Sequence, residues 1–483
     1  MTRFDTAFDL PQSILLIGNR RVAGSGERAT HRYAGTGELT GEFRLASAGD
    51  VDAAVAAARA VLPTWRAMEP AARRNILLRA AALLLERKDR LATLSTIDTG
   101  LTQDTVRAAI VGAHEWLTYY AGWIDKAGAA LVPTGPLALD YVRYEPYGVV
   151  GVIVPSNSAV SGMILGPVLA AGNCVVLKPS ELTPYTAVEY AQLFLDAGMP
   201  SGVINVVPGD AAAGDALVRH PGVDKIHFTG SGTIGAQIAS VAAGLLKPVS
   251  LELGGKSANV VFADADLDTA ADVAMRAVIR LSGQSCVAGT RIIVHDSIAD
   301  DLLARTIART RKQKIGDPMA SDSVVGPVIT EAACARICAA IEQAVGERHG
   351  TLALGGHRLG NELAGGYFIS PTIFADVDNA SPIAQHETFG PVISFIRFRD
   401  DDEAILLANG TRFGLAAYIQ TSNLRRAHRT AERLDAGAVW INGTQGILAG
   451  GPFGGVKQSG FGRLGGIAGL HEFCRPKNVW VGL

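Results

Sequence analysis

Of the five cysteines in this 483-residue sequence, Cys286 has the surroundings that nucleophilic chemistry needs. It lies in Leu281-Ser282-Gly283-Gln284-Ser285-Cys286-Val287-Ala288-Gly289-Thr290-Arg291, among small residues and beside glycines that let a backbone approach a ligand closely. A thiol placed there has room for a carbonyl carbon, with backbone N–H groups around it. Taken alone, a cysteine among small residues is more often a buried apolar side chain than a nucleophile. A second chemical pattern is Gly230-Ser231-Gly232-Thr233-Ile234-Gly235, a G-x-G-x-x-G run that calls for a phosphate at a helix N-terminus. Glu252 follows about twenty residues later, where that fingerprint puts an acid on a ribose.

Such residues need a sheet to position them. Val149–Pro155 and Cys174–Lys178 are continuous apolar runs, as in parallel strands buried on both faces. Asp224–Thr229 leads as a strand into the glycine run, and Arg291–Val294 is a later one. Helical segments alternate with them, including Ala270–Ala277 and Ile298–Thr310. Asp50 is expected to cap a helix over Val51–Arg59, and a second helix opens at Glu69-Pro70. Repeated strand–helix units predict a doubly wound, dinucleotide-type α/β fold. Leu139–Pro146 instead alternates bulky and polar residues like a half-exposed strand, and reads equally as a surface hairpin or as an arm that pairs with another subunit.

Length and composition bound the alternatives. The chain is too long for one core and predicts two or three domains. Hydrophobic residues make up 48%, which suits a compact enzyme rather than a disordered chain. A net charge of −2 without long runs of either sign argues against nucleic-acid and polybasic membrane surfaces. An odd number of scattered cysteines fits a reducing compartment. The N-terminal stretch lacks the pattern of a signal peptide and no stretch is long enough to span a bilayer, so a soluble cytoplasmic protein is expected. Cys334 and Cys338 lie one helical turn apart without the further ligands zinc needs; no metal site is expected.

Four stretches in order resemble the aldehyde dehydrogenase superfamily: Leu251–Lys256, Gly283-Gln284-Ser285-Cys286, Glu387–Val392 and Pro452–Gly460. Tyr119–Trp123, Lys178–Pro184, Phe228–Ser231 and Asn409-Gly410-Thr411 add supporting matches, so the resemblance spans nearly the whole chain. It implies two doubly wound α/β domains and a small β-hairpin arm: residues 1–126 and 147–254 bind cofactor, 255–453 carry the nucleophile, and 127–146 with 470–483 form the oligomerisation arm. It implies that Cys286 attacks the aldehyde, that Asn157 helps to hold the oxyanion, and that Glu252 activates the hydrolytic water instead of binding ribose. Lys178 and Glu181 match the adenine-ribose contacts, Gly230 and Ser231 the pyrophosphate turn, and Glu387 with Phe389 the nicotinamide-ribose side. The cofactor implied is NAD, with NADP possible, because the carboxylate of Glu181 repels a 2′-phosphate while Lys178 softens the preference. A homodimer or homotetramer is implied, built through the hairpin.

Some residues depart from the family pattern. Ser156, Ser158 and Ala159 replace the usual residues around Asn157, and the helix that follows is about two residues short. Leu464 stands where an acid is common, at a position expected to be peripheral. The pocket residues that can be named are small or apolar: Ser285, Val287, Met163, Ile164, Ile447 and Leu448. With no arginine evident to clamp a carboxylate, an uncharged aliphatic or aromatic aldehyde is expected as substrate. The rival readings are a semialdehyde dehydrogenase, a CoA-acylating relative, and a non-catalytic structural protein on the same fold.

Overall fold

A computed structural model describes residues 8–157, 160–443 and 446–483. Two large sheets organise it. In the first, the parallel strands run in spatial order Ile204–Val206, Cys174–Lys178, Val149–Ile153, Lys225–Thr229 and Val249–Glu252. Antiparallel strands flank them: Leu15–Ile17 and Arg20–Val22 at one edge, Gly460–Phe461 at the other. The order reverses between Val149–Ile153 and Lys225–Thr229, and such a reversal leaves a crevice beyond the carboxyl ends of the strands. Both apolar runs expected to be doubly buried are buried throughout.

The second sheet has seven strands, in order Thr351–Leu354, Thr372–Ala375, Val392–Phe398, Arg291–His295, Ala258–Val261, Ala416–Gln420 and Ala438–Ile441. All but the first are parallel to their neighbours. The main chain passes between the sheets in the short run from Glu252 to Ala258. A third, antiparallel sheet joins Ala130–Val132, Ala138–Pro146 and Cys474–Gly482. Thus the alternating segment pairs with the C-terminus, and it leaves Leu131, Leu137, Trp480 and Leu483 largely exposed. No helix of the described residues is long and apolar enough to cross a membrane.

The first helix begins earlier than expected. It runs Ala48–Ala67, with Ser47 rather than Asp50 as its N-cap. Asp50 is the third helical residue, and its carboxylate accepts from the Ser47 N–H while the Ser47 hydroxyl accepts from the Asp50 N–H. This reciprocal capping box satisfies two end donors at once, which a cap at Asp50 would not do. The second helix, Pro70–Glu86, has Pro at its first position as expected.

One buried carboxylate fixes a helix that frames the crevice. Asp98, near the end of helix Lys88–Thr99, accepts from the Tyr185 N–H (3.2 Å), the Thr186 N–H (2.7 Å) and the Thr186 hydroxyl (2.6 Å). Those donors open helix Pro184–Asp196, whose start is thereby set just after the turn that carries Lys178 and Glu181. Removing the acceptor strands three donors away from water, a cost of about 3 kcal/mol. Asp98→Ala should therefore lower the urea midpoint by a corresponding amount, and an unshifted midpoint would show that the anchor contributes little.

Candidate active site

The crevice at the reversal of the first sheet is a cleft of about 390 Å³. Lys178, Glu181, Gly230 and Ser231 all line it, together with Pro155 and Phe228. Ser231 caps helix Gly232–Gly244, its hydroxyl accepting from the Ile234 N–H, so the positive end of that helix faces the cleft. Lys178 is 6% exposed, and its ammonium donates only to the Pro179 carbonyl (3.2 Å) among the described residues. Burial lowers its pKa, and Glu181 and Asp210 act in the opposite sense. An ammonium with donors to spare, beside an exposed carboxylate, is a donor–acceptor pair suited to the hydroxyls of a ribose. The residues therefore fit a dinucleotide at this cleft.

Glu252 ends its strand between Thr229 and Gly460. It is buried, and its Oε2 has no hydrogen-bond partner among the described residues. Burial pushes its pKa well above the ordinary carboxylate value; Arg463 pulls it down and Glu472 adds to the rise. The chain then crosses through Gly254 and Gly255, where side chains are excluded. A Cβ at Gly254 would fall 2.0 Å from Glu387 Oε2, and one at Gly255 would fall 2.5 Å from the Cys286 carbonyl oxygen. Glu387 Oε1 accepts from the Gly255 N–H (3.3 Å). Burial raises Glu387 to about 7, offset in part by that N–H and by Lys256 and Arg336. Lys256 and Arg336 also hold Thr388, by its hydroxyl and its carbonyl, while Phe389 adopts a left-handed φ of 49°.

Cys286 follows a turn in which Leu281, Ser282 and Gly283 all have positive φ (53°, 54° and 73°). The turn is pinned from outside: the Ser282 hydroxyl donates to the Gly326 carbonyl (2.8 Å), and Gly283 packs so tightly on Gly390 that a Cβ would lie 2.1 Å from its oxygen. Gln284 adds a bond from the Ile329 N–H to its Oε1 (3.1 Å). Asn157 reaches the same loop from the end of the first sheet, donating through Nδ2 to the Gln284 carbonyl (2.9 Å). That bond uses one of its two amide hydrogens. The Cys286 thiol is raised to about 12, first by burial and then by Glu387 and Glu252; the N–H groups of Cys286 and Val287 act the other way. Around it pack Met163, Trp440, Ile447, Val287 and Phe453.

The structure thus brings Cys286, Asn157, Glu252 and Glu387 together, and sets the remaining predicted residues in the adjoining cleft or, for Phe389, next to Glu387. Several finer expectations need correction. Ile164 is part of the core beneath helix Gly162–Ala170, and Leu448 is 71% exposed, so neither joins Met163 and Ile447 at the thiol. Leu464 is not peripheral: it is buried and exchanges backbone hydrogen bonds with Phe453. Two arginines, Arg276 and Arg280, line a small cavity with Ser285. Ser158 and Ala159 lie outside the described residues. Sequence reasoning also gave no role to Ser459. It is fully buried, donating to the Gly254 carbonyl (2.7 Å) and accepting from the Gly414 N–H (2.9 Å), so it clamps the crossing to the second sheet. Its place between Gln458 and Gly460 in a recognised motif was the available signal.

Fold and site define an α/β protein in which a dinucleotide-type cleft lies beside a half-buried thiol and a buried carboxylate that is under-bonded among the described residues. The model of the aldehyde dehydrogenase family matches residues 22–479, and the chain belongs to that family. Solved structures agree. The NAD+ complex of an aldehyde dehydrogenase from Bacillus cereus is 36% identical with TM-score 0.96, over 100% of this chain and 99% of that one. Aldehyde dehydrogenase KauB from Pseudomonas aeruginosa is 38% identical with TM-score 0.96, covering 98% of each chain. AldA, an indole-3-acetaldehyde dehydrogenase from P. syringae solved with NAD+ and IAA, is 37% identical with TM-score 0.96, over 99% of this chain and 98% of that one.

The glycine crossing makes a sharp prediction. Gly255→Ala must displace the Cys286 carbonyl, and a misplacement of about 1 Å at a reacting centre costs about 10²-fold in rate. The variant should fold, as read by circular dichroism, yet lose about that factor in kcat; retained kcat would show that the loop yields without consequence.

Proposed function

We propose that this protein oxidises an aldehyde to the carboxylic acid with NAD, through a thioester on Cys286 that water cleaves. The observation that carries this reading is the convergence of a half-buried thiol, an amide with a spare hydrogen and a carboxylate with an oxygen unpartnered among the described residues, next to the dinucleotide-type cleft. The NAD+-bound relatives support the choice of cofactor. Bound NAD supplies the acceptor for a hydride.

The thiolate of Cys286 attacks the carbonyl carbon, and the C=O electron pair moves onto oxygen. The second Asn157 hydrogen and the Cys286 N–H stabilise that oxyanion; a donor of this kind is worth about 2.7–4 kcal/mol. Loss of hydride leaves the thioester. Glu252 then takes a proton from water, whose oxygen attacks the acyl carbon and releases the acid and the Cys286 thiolate. Burial suits Glu252 to this task, because a carboxylate of raised pKa is a stronger base. The same feature favours water over CoA as the acyl acceptor: an enzyme that hands its acyl group to a thiol has no need for a buried base.

The carboxylates of Glu181, Asp210 and Asp215 along one part of the cleft favour NAD over NADP, since each repels a 2′-phosphate. The division of labour expected from the sequence, with residues 255–453 holding the nucleophile, is part of this proposal. The exposed apolar side chains of the three-stranded sheet favour a homodimer or homotetramer, because a soluble monomer rarely leaves such residues clustered at one edge.

Two measurements test this reading. Cys286→Ala should abolish NADH formation from aldehydes, whereas Glu252→Gln should give one burst of NADH per site and then stall at the thioester. Steady turnover by either variant would refute its assigned role. The pH dependence follows from the sign of the shifts. Cys286 and Glu252 both titrate above their ordinary values, so their reactive deprotonated forms grow as pH rises. In the wild type kcat/KM should climb from neutral into alkaline pH; a profile falling over that range would contradict the assignment.

A further inference from the structure

At the base of the three-stranded sheet, where the arm leaves the body of the protein, lies a cavity of about 220 Å³. Its polar walls come from three parts of the chain. Arg73 stands on helix Pro70–Glu86, Arg143 and Tyr144 on strand Ala138–Pro146, and His471 on helix Gly466–Glu472. Trp123 and Leu470 add apolar surface, and no acid lines the cavity. It shares no lining residue with the dinucleotide-type cleft.

Positive charge here outruns the acids that could balance it. Arg73 is half-buried, and its Nε is shut off from solvent with no hydrogen-bond partner among the described residues. Its guanidinium lies 5.8 Å from the Trp65 ring centroid, and so near the turn at Gly172 that a Cβ there would fall 2.8 Å from Nη1. Burial lowers its pKa, and no carboxylate acts the other way. Arg143 stands directly opposite Lys477 in the antiparallel pair, a placing of like charges that weakens a sheet. Glu145, two residues on, is held by Lys477 (2.6 Å) and Arg475 (4.0 Å), which leaves three cations to one carboxylate. Asp125, two residues after Trp123, pairs with Arg74 and Lys126. His471 stacks on Tyr144 with centroids 3.9 Å apart and planes 7° from parallel, which fixes its imidazole beside the cavity. The side chains of Arg73, Arg143 and His471 make no hydrogen bond among the described residues. A cation drawn out of water without a counter-charge is costly, and an anion bound from solution relieves that cost.

We propose that this cavity binds a small dianion, a dicarboxylate or a phosphate, between Arg73 on the body and Arg143 on the arm. A guanidinium presents a planar fork of donors that matches an oxyanion, and the His471 imidazole adds one donor more. The volume is below that of a drug-sized pocket, so the ligand is at most a few carbon atoms long. Trp123 and Leu470 cover its apolar part. The ligand bridges two separate parts of the fold, and its binding holds the arm to the body. Neither Cys286 nor Glu252 is needed for this, so the inference stands apart from the aldehyde chemistry.

Calorimetric titration of the whole protein in low-salt buffer tests this, with malonate, succinate, inorganic phosphate and acetate as probes. It is run with and without saturating NAD, in wild type, R73Q, R73K and R143Q. Wild type should bind one dianion per chain, more tightly than acetate and equally well with NAD present; the tighter probe distinguishes a carboxylate ligand from a phosphate. Each glutamine variant should bind about tenfold or more weakly, as loss of a hydrogen bond to a charged group implies, and R73K should recover part of the affinity. The bound dianion should also raise the Tm of wild type and leave that of R143Q unmoved. Arg143 is exposed on the arm, so R143Q keeps the comparison if R73Q fails to fold. Absence of dianion binding by wild type, or binding that survives R143Q, overturns the inference. So does binding that NAD abolishes, since that anion sits in the dinucleotide cleft.

Discussion

The structure depends on a crossing too narrow for any side chain. Between Glu252 and Ala258 the main chain leaves one sheet and enters the other, passing at Gly254 and Gly255 against Glu387 and the carbonyl of Cys286. The buried Ser459 hydroxyl fastens the crossing by bonding both Gly254 and Gly414. Close contact at this point sets the separation between the carboxylate that ends the first sheet and the thiol that belongs to the second. Chemistry that needs both groups around one carbon atom therefore rests on two absent methyl groups.

The two sheets meet in an unequal way. The first presents the carboxyl ends of its strands, where open α/β sheets ordinarily hold ligands. The second presents its amino ends: the Cys286 loop precedes Arg291–His295, the Glu387 turn precedes Val392–Phe398, and Gly255 precedes Ala258–Val261. Arg291 stabilises that reversed arrangement from inside. It is fully buried, and its guanidinium donates to the carbonyls of Lys256, Leu407 and Ala408 and to Asn379 Oδ1. It ties the crossing to the helix that ends at Asn409, and the burial lowers its pKa to about 10.

Much of this was legible in the sequence because it depends on local pattern. Continuous apolar runs named the central strands of the first sheet, and the order of glycine-bearing motifs named Cys286, Glu252 and Glu387. What stayed hidden depends on partners distant in the chain. Asp50 looked like a cap because its own residue type suits one; Ser47, three residues earlier, completed a reciprocal pair. Leu464 looked peripheral because its bridge to Phe453 joins residues of a folded-back loop. Ile164 and Leu448 were misplaced since apolar character marks burial without saying in which core.

The left-handed turn at Leu281, Ser282 and Gly283 bears on when the thiol comes into being as a reagent. For residues with a Cβ such a conformation costs roughly 1–2 kcal/mol each, so the turn does not form by itself. It is held by Gly326 and Gly390, from segments about forty and a hundred residues further along the chain. A nascent chain therefore carries Cys286 as an ordinary cysteine until both segments have been made and packed. Assembly of the nucleophile loop is thus coupled to completion of the fold.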